Sequence, residues 1–405
     1  MNPIKNKRIT LGVTGSIACY KAADLASKLT QAGALVDIIL TDSATQFITP
    51  LTFQSVTGRK AFVDADLWGD QGHVQHIGLG HASDLIVIAP LTANTMAKLA
   101  HGMADNLLTV TALAADCPLV IAPAMDGGMF THPATQANLQ TLKDRGVVVI
   151  GPEAGHLASG MVGLGRMSEP ADILGTIRHT LAQGGTLAGK KVVVTAGGTQ
   201  EPIDPVRFIS NRSSGKQGYA LAQSALDLGA RVTLISTPNT LPVPAGAELV
   251  LTGTAQEMLK AVQQQTKDAD ILLMAAAVAD FRPDEFAPNK IKKEDKTPTL
   301  QLARTEDILL EVGRQKHTTG FPHLTVGFAA ESENLLANAE KKLKAKHLDM
   351  IAANDISAAD AGFAVDTNRV VLLFPDGSQD SLPLMDKAEI ADAILAKVVE
   401  LLPRE

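Results

Sequence analysis

Short apolar runs rich in valine, isoleucine and leucine alternate along the chain with longer stretches in which apolar residues recur at helical spacing. Arg8–Thr14 form the first such run, and Ser16–Leu29 have the spacing of a helix that follows it. Strands that alternate with helices form parallel sheets covered by helices on both faces, so the pattern predicts an α/β fold of doubly wound, Rossmann-like type. Further strands are predicted at Val36–Thr41, Asp84–Ala89, Leu119–Ala122 and Val147–Ile150, and further helices at Thr92–His101 and Ala134–Arg145.

The same alternation starts again in the second half of the chain. A small, glycine-rich segment, residues 183–189, separates the helix-like Ala171–Leu181 from a new basic pair and a new apolar strand. We therefore predict two domains, residues 1–185 and 186–405. The second domain is predicted to have strands at Val192–Ala196, Arg231–Ser236, Asp270–Ala277, Thr325–Ala329 and Met350–Ala353, a hairpin from Val370–Phe374, and a terminal amphipathic helix at Lys387–Leu402.

The composition of the 405 residues, with 45% hydrophobic and 20% charged side chains, is typical of a soluble globular protein. A net charge of −7, with only 11 Phe, 2 Tyr and 1 Trp, argues against nucleic-acid binding. Two cysteines, Cys19 and Cys117, provide neither a disulfide framework nor a cysteine-based zinc site. The apolar runs are far shorter than the roughly 18 residues that span a bilayer, and no signal-peptide core is present. We expect a cytoplasmic protein without a membrane partner.

Polar and glycine-containing turns follow several predicted strands of the first half, at the edge where doubly wound sheets bind ligands. Gly12–Ala18 suit a phosphate at a helix N-terminus, although an ordinary strand-to-helix turn explains them equally well. The three-glycine dinucleotide fingerprint is absent, so NAD is not indicated. Ala89–Thr95 supply side chains that serve either as helix caps or as ligand contacts. Asp126 follows another strand, and Gly155–Met167, with four glycines, are predicted to form a mobile loop of the kind that acts as a lid.

The second half carries a comparable set of turns. Thr195–Thr199 follow a strand and suit a phosphate, and Asn211–Lys216 are rich in donors for an anionic substrate. Ala275–Asp280 end a strong strand with a carboxylate. The lysines of residues 290–293 and 341–346 are either solvated surface charges or cations that offset the charge of a triphosphate.

These motifs together resemble, over nearly the whole chain, the bacterial bifunctional phosphopantothenoylcysteine decarboxylase/phosphopantothenate–cysteine ligase of coenzyme A biosynthesis. The resemblance implies a flavodoxin-like flavin domain followed by a nucleotide-binding ligase domain. The first half resembles the FMN-dependent cysteine decarboxylases in Gly15–Ala18, His76–Ile77, Ala89–Thr95, Ala104–Leu107 and Pro123–Met125. The second half resembles the CTP-using ligase in Thr195–Thr199, Asp204–Arg207, Asn211–Lys216, Ala276–Asp280, Lys290–Lys293 and Gly327–Glu331.

For the second half, the resemblance implies the ligation of cysteine to 4′-phosphopantothenate. CTP would activate the carboxylate as an acyl-cytidylate with release of pyrophosphate, and Mg²⁺ would offset the charge of the triphosphate. Asn211 would handle the acyl-cytidylate, and Lys290 would stabilise the charge that develops during cytidylyl transfer. The residues implied to contact CTP are Ala275, Ala276, Ala277, Asp280, Lys290, Thr305, Glu306, Asp307, Ile308, Phe328, Lys342 and Lys346.

For the first half, the resemblance implies decarboxylation of 4′-phosphopantothenoylcysteine to 4′-phosphopantetheine. FMN would oxidise the thiol side of the substrate, carbon dioxide would leave, and the reduced flavin would return the hydride. His76 matches the catalytic histidine of the family. The residues implied to bind FMN are Gly15, Ser16, Ile17, Ala18, Thr41, Ser43, Pro90, Thr92, Asn94, Thr95, Asp105 and Asn106.

Four positions depart from the family's pattern. Thr305 and Glu306 replace the first two residues of a common Asn-Pro-Asp-Ile, which affects side-chain contacts but not backbone contacts. Asp126 replaces the asparagine of Pro-Ala-Met-Asn, and Ser159 replaces the cysteine that donates a proton in the reductive step. Because burial and a neighbouring carboxylate raise the pKa of an aspartate, we expect a neutral Asp126 to bind the substrate carboxylate and to act as the proton donor. We therefore include Asp126 and Ser159 among the catalytic residues.

Two rival functions remain at this point. One is an oxidoreductase with two NAD(P)-dependent Rossmann domains, which shares the fold pattern but lacks the glycine fingerprint. The other is an active ligase whose flavoprotein half is regulatory or decarboxylates only oxidatively. The resemblance also implies a homo-oligomer, with subunit contacts at the flavin site and paired ligase domains, whereas the ligands of Mg²⁺ are unknown.

Overall fold

The computed structural model describes residues 2–68, 72–292, 299–331, 333–355 and 367–402. Lys293, part of a predicted basic segment, lies outside these ranges. The described chain forms two compact units, residues 2–181 and 182–402. Within the described ranges, no helix combines the length and apolar character needed to cross a bilayer.

The first unit is built around a parallel sheet of six strands with helices on both faces. The sheet order is β3-β2-β1-β4-β5-β6, and without the short edge strand β3 it is the flavodoxin-like order. The predicted α/β, doubly wound fold class is confirmed. The strands are β1 (Arg8–Val13), β2 (Leu35–Leu40), β3 (Ala61–Val63), β4 (Leu85–Leu91), β5 (Leu119–Pro123), β6 (Val148–Val149), β7 (Glu153–His156) and β8 (Val162–Arg166). The helices are α1 (Cys19–Gln31), α2 (Asp42–Thr45), α3 (Pro50–Thr57), α4 (Gly72–Ala82), α5 (Ala93–His101), α6 (Leu107–Ala114), α7 (Gly127–Thr131), α8 (Pro133–Asp144) and α9 (Pro170–Ala182).

The central strands of this sheet are apolar on both faces because helices cover both. In β4, Leu85 and Val87 join the core on one side of the sheet, whereas Ile86 and Ile88 join the core on the other. Successive side chains of a strand point to opposite faces, so a continuous apolar run is required wherever both faces are covered. Each such fully buried side chain contributes about 1.5–3 kcal/mol relative to an exposed one.

Two predictions for this unit are wrong in detail. Helix α1 begins at Cys19 rather than Ser16, because Ser16 Oγ accepts a hydrogen bond from the Ala18 N–H at 3.3 Å and shapes a turn. Gly155–Met167 are not irregular, since β7 and β8 pair as an antiparallel hairpin within residues 153–166. A Cβ on Gly165 would overlap the carbonyl oxygen of Met125, so its glycine permits close packing against the turn after β5.

The second unit has an eight-stranded sheet in the order β13-β12-β9-β14-β17-β18-β19-β20. The strands from β13 to β18 are parallel, and β19 and β20 extend the sheet as the predicted antiparallel hairpin. Two smaller hairpins, β10–β11 and β15–β16, lie outside this sheet. The strands are β9 (Lys191–Ala196), β10 (Gln200–Pro202), β11 (Phe208–Ser210), β12 (Arg231–Ser236), β13 (Ala247–Leu251), β14 (Ile271–Met274), β15 (Phe281–Pro283), β16 (Leu302–Arg304), β17 (Leu324–Glu331), β18 (Met350–Asp355), β19 (Thr367–Leu373) and β20 (Gln379–Asp386). The helices are α10 (Lys216–Asp227), α11 (Ala255–Gln265), α12 (Ile308–Thr319), α13 (Leu335–Ala345) and α14 (Lys387–Leu401).

The central strand pair of each sheet starts with the same arrangement of hydrogen bonds. The Arg8 N–H donates to Asp84 Oδ2 at 2.8 Å, and the Asp84 N–H donates to the Arg8 carbonyl at 2.8 Å. In the second unit, the Lys191 N–H donates to Asp270 Oδ2 at 2.8 Å, and the Asp270 N–H returns a bond to the Lys191 carbonyl at 2.9 Å. These aspartates fix the register of β1 against β4 and of β9 against β14.

His179 of α9 makes the stability of the first unit depend on pH. Its imidazole is partly buried, its Nδ1 has no partner within the described residues, and burial lowers its pKa. The imidazole therefore binds a proton more readily in the unfolded chain than in the folded one. We expect the free energy of unfolding to fall as the pH decreases below about 6.5, the ordinary histidine pKa. His179→Gln should lessen that loss, since glutamine takes up no proton.

Thermal unfolding of residues 1–405 and of the variant, followed from about pH 8 to about pH 5, measures this effect. The exposed His81→Gln is the matched control, because His81 is not buried. An identical pH dependence for wild type and His179→Gln would contradict the assignment.

Candidate active sites

The carboxyl ends of β1 and β4 form a crevice where the strand order of the first sheet reverses, the usual ligand site of doubly wound folds. Thr14 joins the two strand ends. Its Oγ1 donates to the Pro90 carbonyl at 2.7 Å, and the Thr92 N–H donates to Thr14 Oγ1 at 3.0 Å. Thr92 Oγ1 also accepts from the Thr95 N–H at 3.4 Å and so caps α5. The two turns predicted to bind the cofactor therefore border one crevice.

The neighbouring turns bring further predicted cofactor residues to this edge. Gly15 lies against Ser43, since a Cβ on Gly15 would come within 2.5 Å of Ser43 Cβ. Thr41 caps α2 by accepting a backbone N–H at 3.3 Å, and Asn106 caps α6 by accepting another at 2.9 Å. Thr41 and Asn106 thus shape the turns around the crevice.

Three other predicted residues of this half have different surroundings. Asp105 forms an ion pair with Lys98 at 2.7 Å, and the hydrogen bond from Lys98 lowers the pKa of Asp105. Asn94 is exposed in the first turn of α5. His76 Nδ1 is buried and has no hydrogen-bond partner in the described part of the chain, which is the situation of a group that binds a ligand or water. Its catalytic role stays a prediction.

A cavity of about 560 Å³ opens beside the first turn of α1, between the turn after β5 and the β7–β8 hairpin. Ser16, Ile17 and Ala18 line it, as the sequence predicts for cofactor residues. No side chain caps α1, and an uncapped helix N-terminus suits a phosphate. The N-terminus of α1 therefore offers the positive end of a helix dipole to an anion such as the phosphate of FMN.

Three basic residues of this cavity, Lys21, His156 and Arg166, were not predicted from the sequence. Lys21 is 6% exposed, and its Nζ donates to the Met167 carbonyl at 3.0 Å and to Glu169 Oε1 at 2.9 Å. Lys21 thereby fixes the end of the β7–β8 hairpin to α1. Its position on a mainly apolar helix gives no local signal for this role.

The two departures from the family pattern in this cavity contact each other. Ser159 Oγ donates to Asp126 Oδ2 at 2.7 Å, and the Gly128 N–H donates to Asp126 Oδ1 at 2.9 Å. The Ser159 hydrogen bond, together with the backbone bond, holds the pKa of Asp126 below its usual range. The expectation of a neutral Asp126 is therefore wrong for this arrangement. The charged carboxylate caps α7 and connects it to the turn of the hairpin.

The second unit contains a cavity of about 780 Å³ at the carboxyl edge of its sheet. Six basic and three acidic side chains line it, although the whole chain has a net charge of −7. This local excess of positive charge suits a polyphosphate. The basic residues are Arg212, Lys216, Arg304, Lys342, Lys346 and Lys387, and the acidic ones are Asp280, Glu306 and Asp307.

The predicted nucleotide residues come together in this cavity, with one exception. Lys290 is exposed and is not among the described lining residues. The residues that do line it are Asn211, Ala275, Ala276, Ala277, Asp280, Thr305, Glu306, Asp307, Ile308, Phe328, Lys342 and Lys346. Arg304 and Lys387 are additional cations that sequence reasoning missed, because neither belongs to a recognisable motif.

Hydrogen bonds within the lining hold the predicted residues in place. Asp307 caps α12 by accepting the Leu309 N–H at 3.1 Å, and it pairs with Lys346 Nζ at 2.8 Å. Asn211 Nδ2 donates to the Val278 carbonyl at 3.1 Å. These contacts hold the loops that follow β11, β14 and β16 around the cavity.

At the departure from Asn-Pro-Asp-Ile, the Thr305 side chain bonds to the protein backbone. Its Oγ1 donates to the Ala279 carbonyl, and its N–H donates to the Asp280 carbonyl at 3.0 Å. Glu306 is exposed at the cavity. The loop therefore remains attached to the end of β14 with threonine in place of asparagine.

The phosphate contact expected of Thr195–Thr199 is not found in the cavity lining. Thr199 is fully buried, and its Oγ1 accepts from the Ala279 N–H at 3.0 Å. Gly197 has a φ of +88°, and a Cβ there would overlap Thr237 Oγ1. This segment therefore holds the loop after β14 through the Thr199–Ala279 hydrogen bond and does not contribute to the cavity lining.

The described residues contain no group of three or more His, Cys, Asp or Glu side chains that could hold a metal ion.

Family models match both halves of the chain. Residues 2–182 match a family described as flavoprotein, and residues 187–402 match the DNA/pantothenate metabolism flavoprotein C-terminal domain.

Curated relatives match almost the entire chain. The coenzyme A biosynthesis bifunctional protein CoaBC of Bacillus subtilis (strain 168) is 45% identical over 401 residues, covering 98% of this chain and 98% of that protein. The protein of the same description from Mycobacterium tuberculosis (strain H37Rv) is 43% identical over 408 residues, covering 98% of this chain and 97% of that protein. The crystal structure of a CoaBC C-terminal domain is 40% identical, with a TM-score of 0.45, covering 54% of this chain and 97% of that one.

The Ser159–Asp126 hydrogen bond predicts how firmly the β7–β8 hairpin is held. Asp126→Asn and Ser159→Ala should each accelerate amide exchange in residues 157–161 by roughly twofold to fivefold, as for an exposed charged contact. Because one bond joins the two side chains, the double variant should exchange no faster than the faster single variant.

Hydrogen–deuterium exchange with mass spectrometry on the full chain measures these rates. Asp144→Asn is the control, since it makes the same change of charge at another surface contact, with Gln140 on α8 at 2.8 Å. Additive effects of Asp126→Asn and Ser159→Ala would show that the two residues act separately.

Proposed function

This chain belongs to the family of bifunctional coenzyme A biosynthesis proteins. We propose that one of its two units is a phosphopantothenate–cysteine ligase and the other a flavin-dependent phosphopantothenoylcysteine decarboxylase. The second unit would ligate cysteine to 4′-phosphopantothenate, and the first would decarboxylate the product. The observation that carries the ligase assignment is the cation-rich cavity of an otherwise acidic chain.

We propose that the second cavity binds CTP and the carboxylate of 4′-phosphopantothenate side by side. Lys342 and Lys346 supply positive charge, and the pairing of Lys346 with Asp307 keeps that charge in a fixed place. The attack of the carboxylate on the α-phosphorus of CTP releases pyrophosphate, and the amine of cysteine then displaces CMP from the acyl carbon. Asn211 would hold the acyl-cytidylate between these steps, and its hydrogen bond to the Val278 carbonyl supports this role by fixing the side chain at the cavity.

Mg²⁺ is proposed to enter this cavity with the nucleotide. It is a hard cation that is commonly held by substrate phosphates and one or two carboxylates. Asp280, Glu306 and Asp307 are the carboxylates in the lining, and they belong to two neighbouring loops. This donor set fits a metal whose main ligands come from the triphosphate.

We propose that the first unit binds FMN at the switch-point crevice, with the phosphate at the N-terminus of α1. The uncapped helix and the Thr14-linked turns support this placement. Bound FMN supplies reversible two-electron chemistry. The β7–β8 hairpin, held by Lys21 and by the Ser159–Asp126 bond, would exclude water from the substrate.

For the proton of the reductive step, we propose that Asp126 acts as a shuttle. A serine hydroxyl is a far weaker acid than a cysteine thiol, so Ser159 cannot simply replace the family's cysteine. The charged Asp126 carboxylate can instead accept a proton released from the substrate at Oδ2 and return it to the product. Ser159 would direct Oδ2 towards the cavity, since its hydroxyl bonds to that oxygen. A half that only decarboxylates oxidatively is the second candidate, favoured by the lowered pKa of Asp126.

We propose that the protein works as a homo-oligomer in which a second copy covers the small hairpins of the second unit. Val206, Phe208, Phe281, Phe286 and Leu302 are 48–60% exposed on β10–β11, β15–β16 and their connections. Three of the chain's 11 phenylalanines are thus exposed on two hairpins that contact each other. Such a concentration of exposed apolar side chains marks a protein–protein contact.

The ligase proposal predicts the effect of removing the Lys290 charge. With 4′-phosphopantothenate, CTP, Mg²⁺ and cysteine, the wild type should release pyrophosphate and form 4′-phosphopantothenoylcysteine, identified by mass. Lys290→Gln should reduce pyrophosphate release by about 10²-fold, because a preorganised cation stabilises the developing phosphoryl charge. Lys292→Gln is the control, since Lys292 is an exposed lysine two residues away.

If Lys290→Gln turns over at nearly the wild-type rate, Lys290 is only a solvated surface lysine without a catalytic role. If the wild type itself forms no cysteine adduct, the ligase proposal is wrong.

The shuttle proposal predicts the products of three enzymes. The wild type should form 4′-phosphopantetheine, and Asp126→Asn should lose about 10²-fold or more of this rate because it removes the proton acceptor. Asp126→Asn/Ser159→Cys restores the residues common in the family and should recover part of the activity. The flavin absorbance of all three should be the same, which separates loss of chemistry from loss of cofactor.

Undiminished 4′-phosphopantetheine formation by Asp126→Asn would place the proton on another group. An oxidised, decarboxylated product from the wild type would favour the oxidative alternative.

A further inference from the structure

The turn between β10 and β11 contacts both ends of the short segment that carries Lys290. We call residues 287–291 the Lys290 segment. At its beginning, the Ala287 N–H donates to the carbonyl of Ile203 at 3.0 Å. At its end, the Ile291 N–H donates to Asp204 Oδ2 at 3.2 Å. The segment is therefore attached on either side of Lys290, while the Lys290 side chain itself is exposed.

Arg207 completes the attachment at Ile291. Its Nη2 donates to the Ile291 carbonyl at 2.9 Å, so that both polar groups of the Ile291 main chain are bonded to the turn. The guanidinium is held in this position by Asp204, whose Oδ2 accepts Arg207 Nε at 2.9 Å. Asp204 has a fully buried side chain, and its Oδ1 accepts the N–H groups of Val206 and Arg207 at 2.8 and 2.9 Å.

The same hairpin also reaches the ligase cavity. Strand β11 ends at Ser210, and the next residue, Asn211, lines the cavity and bonds to the Val278 carbonyl. One hairpin therefore leads to a cavity residue at one end and holds the Lys290 segment at the other.

From this geometry we propose that Arg207, supported by Asp204, is a positioning residue that fixes the backbone direction of Lys290 for cytidylyl transfer. The proposal rests on the proposed ligase role of Lys290. Arg207 acts by holding the Ile291 main chain and not by touching the substrate.

A planar, forked guanidinium is needed for this arrangement. Arg207 bonds to a carboxylate with one edge and to a carbonyl with Nη2, whereas a lysine ammonium keeps the charge but lacks the fixed fork. Misplacement of a catalytic group by about 1 Å can cost about 10²-fold in rate. Arg207→Lys should therefore conserve the positive charge but no longer hold the Ile291 main chain in a fixed position.

The test compares Arg207→Lys, Lys290→Ala and the double variant in CTP-dependent pyrophosphate release. We expect Arg207→Lys to lower kcat by about 10- to 100-fold with little change in the KM for CTP. If Arg207 acts through Lys290, the double variant should be no slower than Lys290→Ala. Arg314→Lys is the matched control, because Arg314 also pairs with an acidic residue three positions away, Glu311 at 2.6 Å, but on the surface of α12.

Amide exchange at Ile291 tests the attachment without reference to activity. Arg207→Lys should exchange this amide faster than the wild type, while Arg314→Lys should not. A wild-type rate in Arg207→Lys, multiplied losses in the double variant, or unchanged exchange at Ile291 would each overturn the proposal. If Lys290→Ala retains full activity while exchange at Ile291 responds as expected, the attachment is real and the ligase role of Lys290 is what fails.

Discussion

The register between the two central strands of each sheet is the constraint on which both cavities depend. In each unit an aspartate at the start of one central strand bonds to the first backbone N–H of its neighbour, Asp84 to Arg8 and Asp270 to Lys191. A shift by one residue would turn every side chain of the strand to the opposite face and move its carboxyl end along the edge. The aspartates at the amino ends of these strands therefore determine the positions of the turns at the carboxyl ends. The cavity-lining side chains on those turns depend on the same register.

The two units use this common scaffold for different electrostatic purposes. In the second unit, basic residues from separate helices and loops line one cavity of an acidic protein, and this local excess of positive charge suits a polyphosphate. In the first unit the cavity is smaller and is lined on one side by a hairpin that Lys21 and Asp126 join to the rest of the unit. Positive charge therefore distinguishes the cavity of the second unit, and a bordering hairpin distinguishes that of the first.

Sequence reasoning predicted the fold class, and it predicted that Asp280 lies at the ligand edge, because parallel strands bring their carboxyl ends to one edge. Phe328, which lies inside β17, was predicted only from the family resemblance. Sequence reasoning missed Lys387, which reaches the cavity from the start of α14, far from any motif. It also missed the β7–β8 hairpin, whose glycines conceal the strand pattern. The contact between Ser159 and Asp126 joins residues 33 positions apart, and only the folded chain reveals it. The roles of individual site residues stay predictions.

Serine at position 159 also changes how the first unit meets oxidising conditions. Its described cavity lining contains no thiol, and the chain's two cysteines lie elsewhere. Cys19 is buried, with its Sγ donating to the Thr14 carbonyl at 3.3 Å, and burial raises the pKa of both Cys19 and Cys117. Peroxides and alkylating reagents attack the thiolate, which these environments disfavour. A hairpin cysteine would be open to sulfenic acid formation, whereas residues 153–166 of this hairpin include no thiol.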